Sequence, residues 1–130
     1  MGDPRQVAEQ FINHYCTTFR DNRAGLAGLY NASSTLSWEQ DLKRPDDMHR
    51  GPAAITAKLQ ALPAGTQLAP SSIDVQPSLD PSAILVMVAG QMLIGGEQNP
   101  LSYCHLFQLK SIGPGQFYIH NEIFRLVMQR

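Results

Sequence analysis

The stretch from Gln116 to Met128, QFYIHNEIFRLVM, narrows the choice of fold more than any other part of the chain. So many β-branched and aromatic residues in succession require a place inside a sheet. Phe117, Ile119 and Ile123 share one parity, and Tyr118, Phe124, Leu126 and Met128 share the other, so each face carries large apolar groups. The heavier apolar face changes over near Asn121 and Glu122. Such a change predicts a bulge or bend, and a sheet curled in this way encloses a hollow once something covers its concave side. Just upstream, Leu101, Tyr103, His105, Phe107 and Leu109 alternate with Ser102, Cys104, Leu106, Gln108 and Lys110. Gly113-Pro114-Gly115 separates the two runs as a turn, which predicts a long antiparallel hairpin.

The cover must come from elsewhere. Asp3-Pro4-Arg5-Gln6 has the form of a helix start, with Asp3 as cap, Pro4 at the first helical position and Gln6 at capping-box spacing. From there Val7, Ala8, Phe11, Ile12, Tyr15, Cys16 and Phe19 recur every three or four residues as one wide apolar stripe, a lid for a concave sheet. A shorter helical piece sets Leu26, Leu29 and Tyr30 on one side. Thr35 to Glu39 reads as a short strand with Leu36 and Trp38 on one face, and Gln40 to Arg50 as a solvated loop carrying Asp41, Asp46 and Asp47. Gly51-Pro52 restarts a helix with Ile55, Leu59 and Leu62 facing one way, and Pro63 stops it. A weak strand follows over Thr66 to Val75. Ala83 to Val88 is a continuous apolar run expected to be a strand buried on both faces, continuing past Gly90 to Ile94. Three helical segments, one short strand and then four antiparallel strands predict an α+β fold, with helices on one face of a bent sheet.

With 130 residues, 43% of them hydrophobic and 16% charged, the chain is expected to form one globular domain over residues 1–130. A net charge of −1 offers no general attraction to nucleic acid or to an anionic membrane. No apolar run approaches the roughly 20 residues that a membrane-crossing helix needs, and the N-terminal segment reads as a charged helix start rather than a signal peptide. Cys16 and Cys104 form no CxxC pair, which fits reduced thiols. His14, His49, His105 and His120 show no metal-ligand spacing, so no metal is expected. Gly95-Gly96 lies in no phosphate-cradling motif, so no cofactor is expected either.

Several stretches together resemble the nuclear transport factor 2 family: Phe11 to Tyr15, Leu29-Tyr30, Leu36-Ser37-Trp38-Glu39, Gly51 with Ala53-Ala54-Ile55, Leu62-Pro63, Gly90-Gln91, Glu97 to Pro100 and Asn121 to Leu126. Their shared order runs from about residue 3 to residue 127. The resemblance implies a cone-shaped, cystatin-like homodimer without enzymatic activity. It would carry the GDP form of the GTPase Ran into the nucleus and bind FxFG repeats of nucleoporins, moving between cytoplasm and nucleus with a concentration at the nuclear pore. In the family, a Ran phenylalanine fills the apolar mouth of the cone while basic residues of Ran meet acids at its rim. The family's Trp-Glu pair falls on Trp38 and Glu39, and one rim acid falls on Glu97. Burying one phenylalanine contributes roughly 1.5–3 kcal/mol. Leu59, Leu62, Met87 and Phe124 are the candidate lining of the mouth, and Trp38, as a large anchor, is assigned to both Ran and FxFG contacts.

Three departures from the family stand out: a longer loop after Glu39, glycines at 95 and 96 where members carry a second rim acid, and Ala64 where an aromatic is common. The same fold houses isomerases and dehydratases, whose chemistry needs a pocket carboxylate or histidine facing hydroxyl donors. Tyr15, Tyr30, Asp74, Tyr103, His105, His120 and Glu122 are the residues available for that, although no spacing groups them. A related small subunit of the messenger-RNA export receptor, which forms heterodimers, is the other alternative.

Overall fold

In a computed structural model, residues 3–39 and 48–127 are described; Asp41, Asp46, Asp47 and Met128 lie outside the described residues. Helix α1 spans Pro4–Asp21, with the Asp3 carboxylate accepting from the backbone N–H of Arg5 at 3.1 Å. Its stripe sends Ala8, Phe11, Ile12, Tyr15 and Phe19 into the core. A 3-10 segment follows at Arg23–Leu29. Gly25 and Gly28 weaken an α-helix here, and the three-residue period still stacks Leu26 under Leu29. Helix α2 spans Pro52–Gln60 and buries Ile55 and Leu59, with Leu62 just beyond its end.

The strands are β1 (Thr35–Glu39), β2 (His49–Arg50), β3 (Gln67–Pro77), β4 (Ala83–Leu93), β5 (Leu101–Gly113) and β6 (Gln116–Leu126). They form one curved, unclosed sheet in the order β2-β1-β6-β5-β4-β3. The helices cover one face, so the expected α+β arrangement holds. Strands β3 to β6 are antiparallel as the sequence predicts. Strand β1 instead runs parallel to β6, from Thr35 opposite Asn121 to Glu39 opposite Arg125, and the sheet is therefore mixed. Side chains fix that register: the Ser34 hydroxyl donates to the Ile119 carbonyl at 2.5 Å, and the Asn121 amide donates to the Thr35 hydroxyl at 3.1 Å. His49 and Arg50, which the sequence places in the polar loop, pair with Leu36 and Thr35.

The expected bend lies in the final hairpin. Gln108 faces Asn121 and Leu109 faces Ile119, so His120 is the extra residue of a bulge. This shifts parity: Ile119 points inward before the bulge, Glu122 and Phe124 point inward after it, and Ile123 is left 48% exposed on the outer face. Strand β4 corrects the sequence reading. Ile84, Val86 and Val88 are buried, but Met87 is 44% exposed, because only one face of this antiparallel sheet is covered. Met87 therefore belongs to the outer face and does not line the interior.

Candidate functional site

Strand alternation separates the Trp-Glu pair. Trp38 points into the core and is 1% exposed, whereas Glu39 points to the outer face at the end of β1. Parallel pairing sets Trp38 beside Phe124, with ring centroids 3.7 Å apart and planes 6° from parallel. Phe19 of α1 stacks at 5.8 Å from Trp38, and Tyr103 of β5 stacks at 5.1 Å from Phe124. The Arg23 guanidinium carbon lies 5.4 Å from the Phe19 ring centre. The result is a column of four rings with a cation at one end, which adds stacking and cation–π attraction to ordinary burial. Leu59 and Leu62 belong to the same buried cluster as this column.

At the end of β1, Glu39 and Arg125 form an ion pair of 2.6 Å between Oε2 and Nη2. Glu97 is exposed in the turn from β4 to β5, where its backbone N–H closes onto the Ile94 carbonyl. The two glycines before it follow from the backbone. A Cβ on Gly95 would stand 1.7 Å from the Ala64 carbonyl oxygen, and Gly96 has φ +85°. No side chain fits the first, and the second is strained for any residue but glycine.

The structure also gathers residues that sequence spacing left separate. Glu122, 1% exposed, has its Oε2 2.6 Å from both the Tyr15 hydroxyl and His105 Nε2, and its Oε1 2.5 Å from the Tyr30 hydroxyl. Tyr15 comes from α1, Tyr30 from the end of the 3-10 segment, His105 from β5 and Glu122 from β6. Burial, and next the charge of Glu122, hold both tyrosines well above the ordinary phenol range. Burial likewise pushes the Cys16 thiol up to about 11. The carboxylate is enclosed by its own chain's donors, so the arrangement acts as a brace between helices and sheet. A signal for it was present in the sequence: His105 shares parity with Tyr103 and Phe107, and Glu122 with Phe124. Asp74 and His120, also named from the sequence, are not part of this cluster. The Tyr103 hydroxyl is buried with no hydrogen-bond partner among the described residues.

The profile of the Nuclear transport factor 2 (NTF2) domain matches residues 7–126. The chain belongs to the nuclear transport factor 2 family. The protein named Nuclear transport factor 2 from Emericella nidulans is 40% identical over 128 residues, covering 98% of each chain. Nuclear transport factor 2B from Arabidopsis thaliana is 39% identical over 95% of this chain and 94% of its own. Among solved structures, nuclear transport factor 2 from Cryptosporidium parvum superposes with a TM-score of 0.84 at 35% identity, over 97% of this chain and 96% of its own. The relatives' names support a role in nuclear transport. The fold alone reaches further, to the C. albicans Mtr2-Mex67 M domain complex at 17% identity and TM-score 0.76, over 95% of this chain and 94% of that one. It therefore does not separate transport from other uses of the same architecture.

Proposed function

We propose that this chain is a non-enzymatic carrier that binds the GDP form of Ran at the rim marked by Glu39 and Glu97, and binds FxFG nucleoporin repeats through an apolar surface. On this reading it shuttles between cytoplasm and nucleus and concentrates at the nuclear pore. The observation that carries the proposal is 40% identity, over 98% of both chains, to a relative named as a nuclear transport factor. The site's chemistry suits it. Glu39 is an acid at a strand end, with the Trp38–Phe124 stack on the other face of the same strand pair. Leu59, Leu62 and Phe124 belong to the buried apolar cluster behind it. Trp38 is 1% exposed, so the exposed anchor expected from the sequence is instead a core ring, and on this reading it serves both partners by holding Phe19 and Phe124 in place.

The working unit on this reading is a homodimer joined through the outer face of the sheet. Met48, Met87 and Ile123 are exposed there, and a depression of about 300 Å³ is lined by Met48, Leu85, Leu106 and Ile123 among others. An export-receptor subunit would use such a face for a different chain, and its solution behaviour separates the two: a stable homodimer favours the carrier, a monomeric or aggregating chain the heterodimer.

The test is a pull-down against Ran loaded with GDP or GTP. Preference for the GDP form is expected, and equal capture of both forms defeats the proposal. Glu39→Lys, which sets a second cation beside Arg125, is expected to abolish Ran capture while leaving the fold and FxFG binding largely intact; unchanged capture would show that the rim lies elsewhere.

A further inference from the structure

We infer that Arg125 is a built-in competitor for Glu39, setting how readily a basic partner is taken up and released. The inference rests on the carrier reading above and adds to it a residue that tunes specificity and exchange. Parallel pairing fixes Arg125 opposite Glu39, and the guanidinium lies within 2.6 Å of the carboxylate. The two side chains are unequally sheltered: Glu39 is 16% exposed and Arg125 56%. An incoming lysine or arginine therefore meets a like charge before it meets the acid. On the other side of Arg125, the β5 position in register is Cys104, which supplies no second carboxylate.

A carboxylate has two oxygens, and Arg125 occupies Oε2. A second cation bound at Oε1 leaves one negative charge between two positive ones, so the partner gains fully only if Arg125 swings away. Its exposure makes that swing easy, since water takes over the guanidinium's hydrogen bonds. The acid thus stays satisfied and correctly placed when no partner is bound, and the same contact lowers affinity for one that arrives. This is what a cargo carrier needs, because cargo held too tightly is not delivered.

The experiment measures affinity for GDP-loaded Ran with Arg125→Gln, Arg125→Lys, Glu39→Gln and the Glu39→Gln/Arg125→Gln pair, at low and moderate salt. Arg125→Gln is expected to bind about two- to fivefold tighter, the range spanned by exposed ion pairs. Arg125→Lys keeps the charge and should stay close to the unaltered protein. In the Glu39→Gln background the gain should shrink, because the coupling to Glu39 is gone and only repulsion between Arg125 and the basic partner is left to release. If Glu39→Gln weakens binding but Arg125→Gln does not tighten it, or the gain is undiminished without Glu39, the competitor role is overturned alone. If Glu39→Gln changes nothing, the rim reading falls and this inference with it. Arg125 is exposed and its pair with Glu39 contributes little to folding, so melting within about 4 °C of the unaltered protein marks each variant as folded.

Discussion

Glu122 shows how one side chain ties distant parts of a chain together. Its three partners lie 107, 92 and 17 residues away, so strand parity places His105 and Glu122 inside but no local spacing joins the set. Each hydroxyl that donates to the buried carboxylate offsets part of the cost of removing that charge from water. Tyr30→Phe keeps the ring and deletes one donor, and should lower the unfolding free energy by about 1.5–3 kcal/mol, the range for a hydrogen bond to a charged group. Urea denaturation gives the number, and a loss under about 0.5 kcal/mol would mean the brace is slack.

Cys16 adds a dependence on alkaline pH. Its thiol is raised from 9.0 to about 11, so the unfolded chain gives up this proton first. The stabilisation it contributes is complete below pH 9 and is lost as pH rises through about 11. Tyr15 and Tyr30, also raised, continue the decline above their ordinary range. Unfolding free energy should fall across this window by about 2 kcal/mol on account of Cys16. Cys16→Ala should flatten the curve between pH 9 and 11, and an unchanged slope would assign the decline to other groups.

At the scale of elements, the turn between β4 and β5 shows why positions 95 and 96 carry glycine rather than an acid. Gly95 sits against the Ala64 carbonyl, a contact between two backbones that leaves no room for a side chain at 95. Gly95→Asp should therefore destabilise the fold by about 1–3 kcal/mol through overpacking rather than simply add charge. Gln98→Glu, at an exposed position of the same turn, should add charge without that loss. A calorimetric melt of the two variants decides the matter, and equal midpoints would contradict the contact.

Much of this scale was legible in the sequence. The α1 stripe, the long hairpin and its bulge each show in side-chain parity, because burial on one face imposes a period of two or 3.6. The direction of β1 was not legible, since parallel and antiparallel neighbours leave the same alternation. Strand β4 misled for a related reason: Leu85 and Met87 are apolar on the outer face, and an apolar run reads the same whether or not both of its faces are covered. Of the proposed site, Trp38 and Glu39 were assigned in sequence through the resemblance alone. Arg125 was missed because its meaning depends on which strand lies beside it.

For the whole molecule, the homodimer proposed above draws on the uncovered face of the sheet. Met48, Met87 and Ile123 are 60%, 44% and 48% exposed, and they lie on the face that no helix covers. Such a surface favours association with a second copy. Ile123→Asp should roughly halve the apparent mass in sedimentation while leaving the circular dichroism unchanged, and an unaltered mass would place the contact elsewhere.

The parallel course of β1 and β6 has a practical result. Both strands end on the same side of the sheet, so Val127 follows Leu126 close to Glu39. Val127, half exposed, is thus a natural attachment point for a polarity-sensitive dye. Its emission would register occupancy of the neighbouring carboxylate in real time, without labelling any residue that makes the contact.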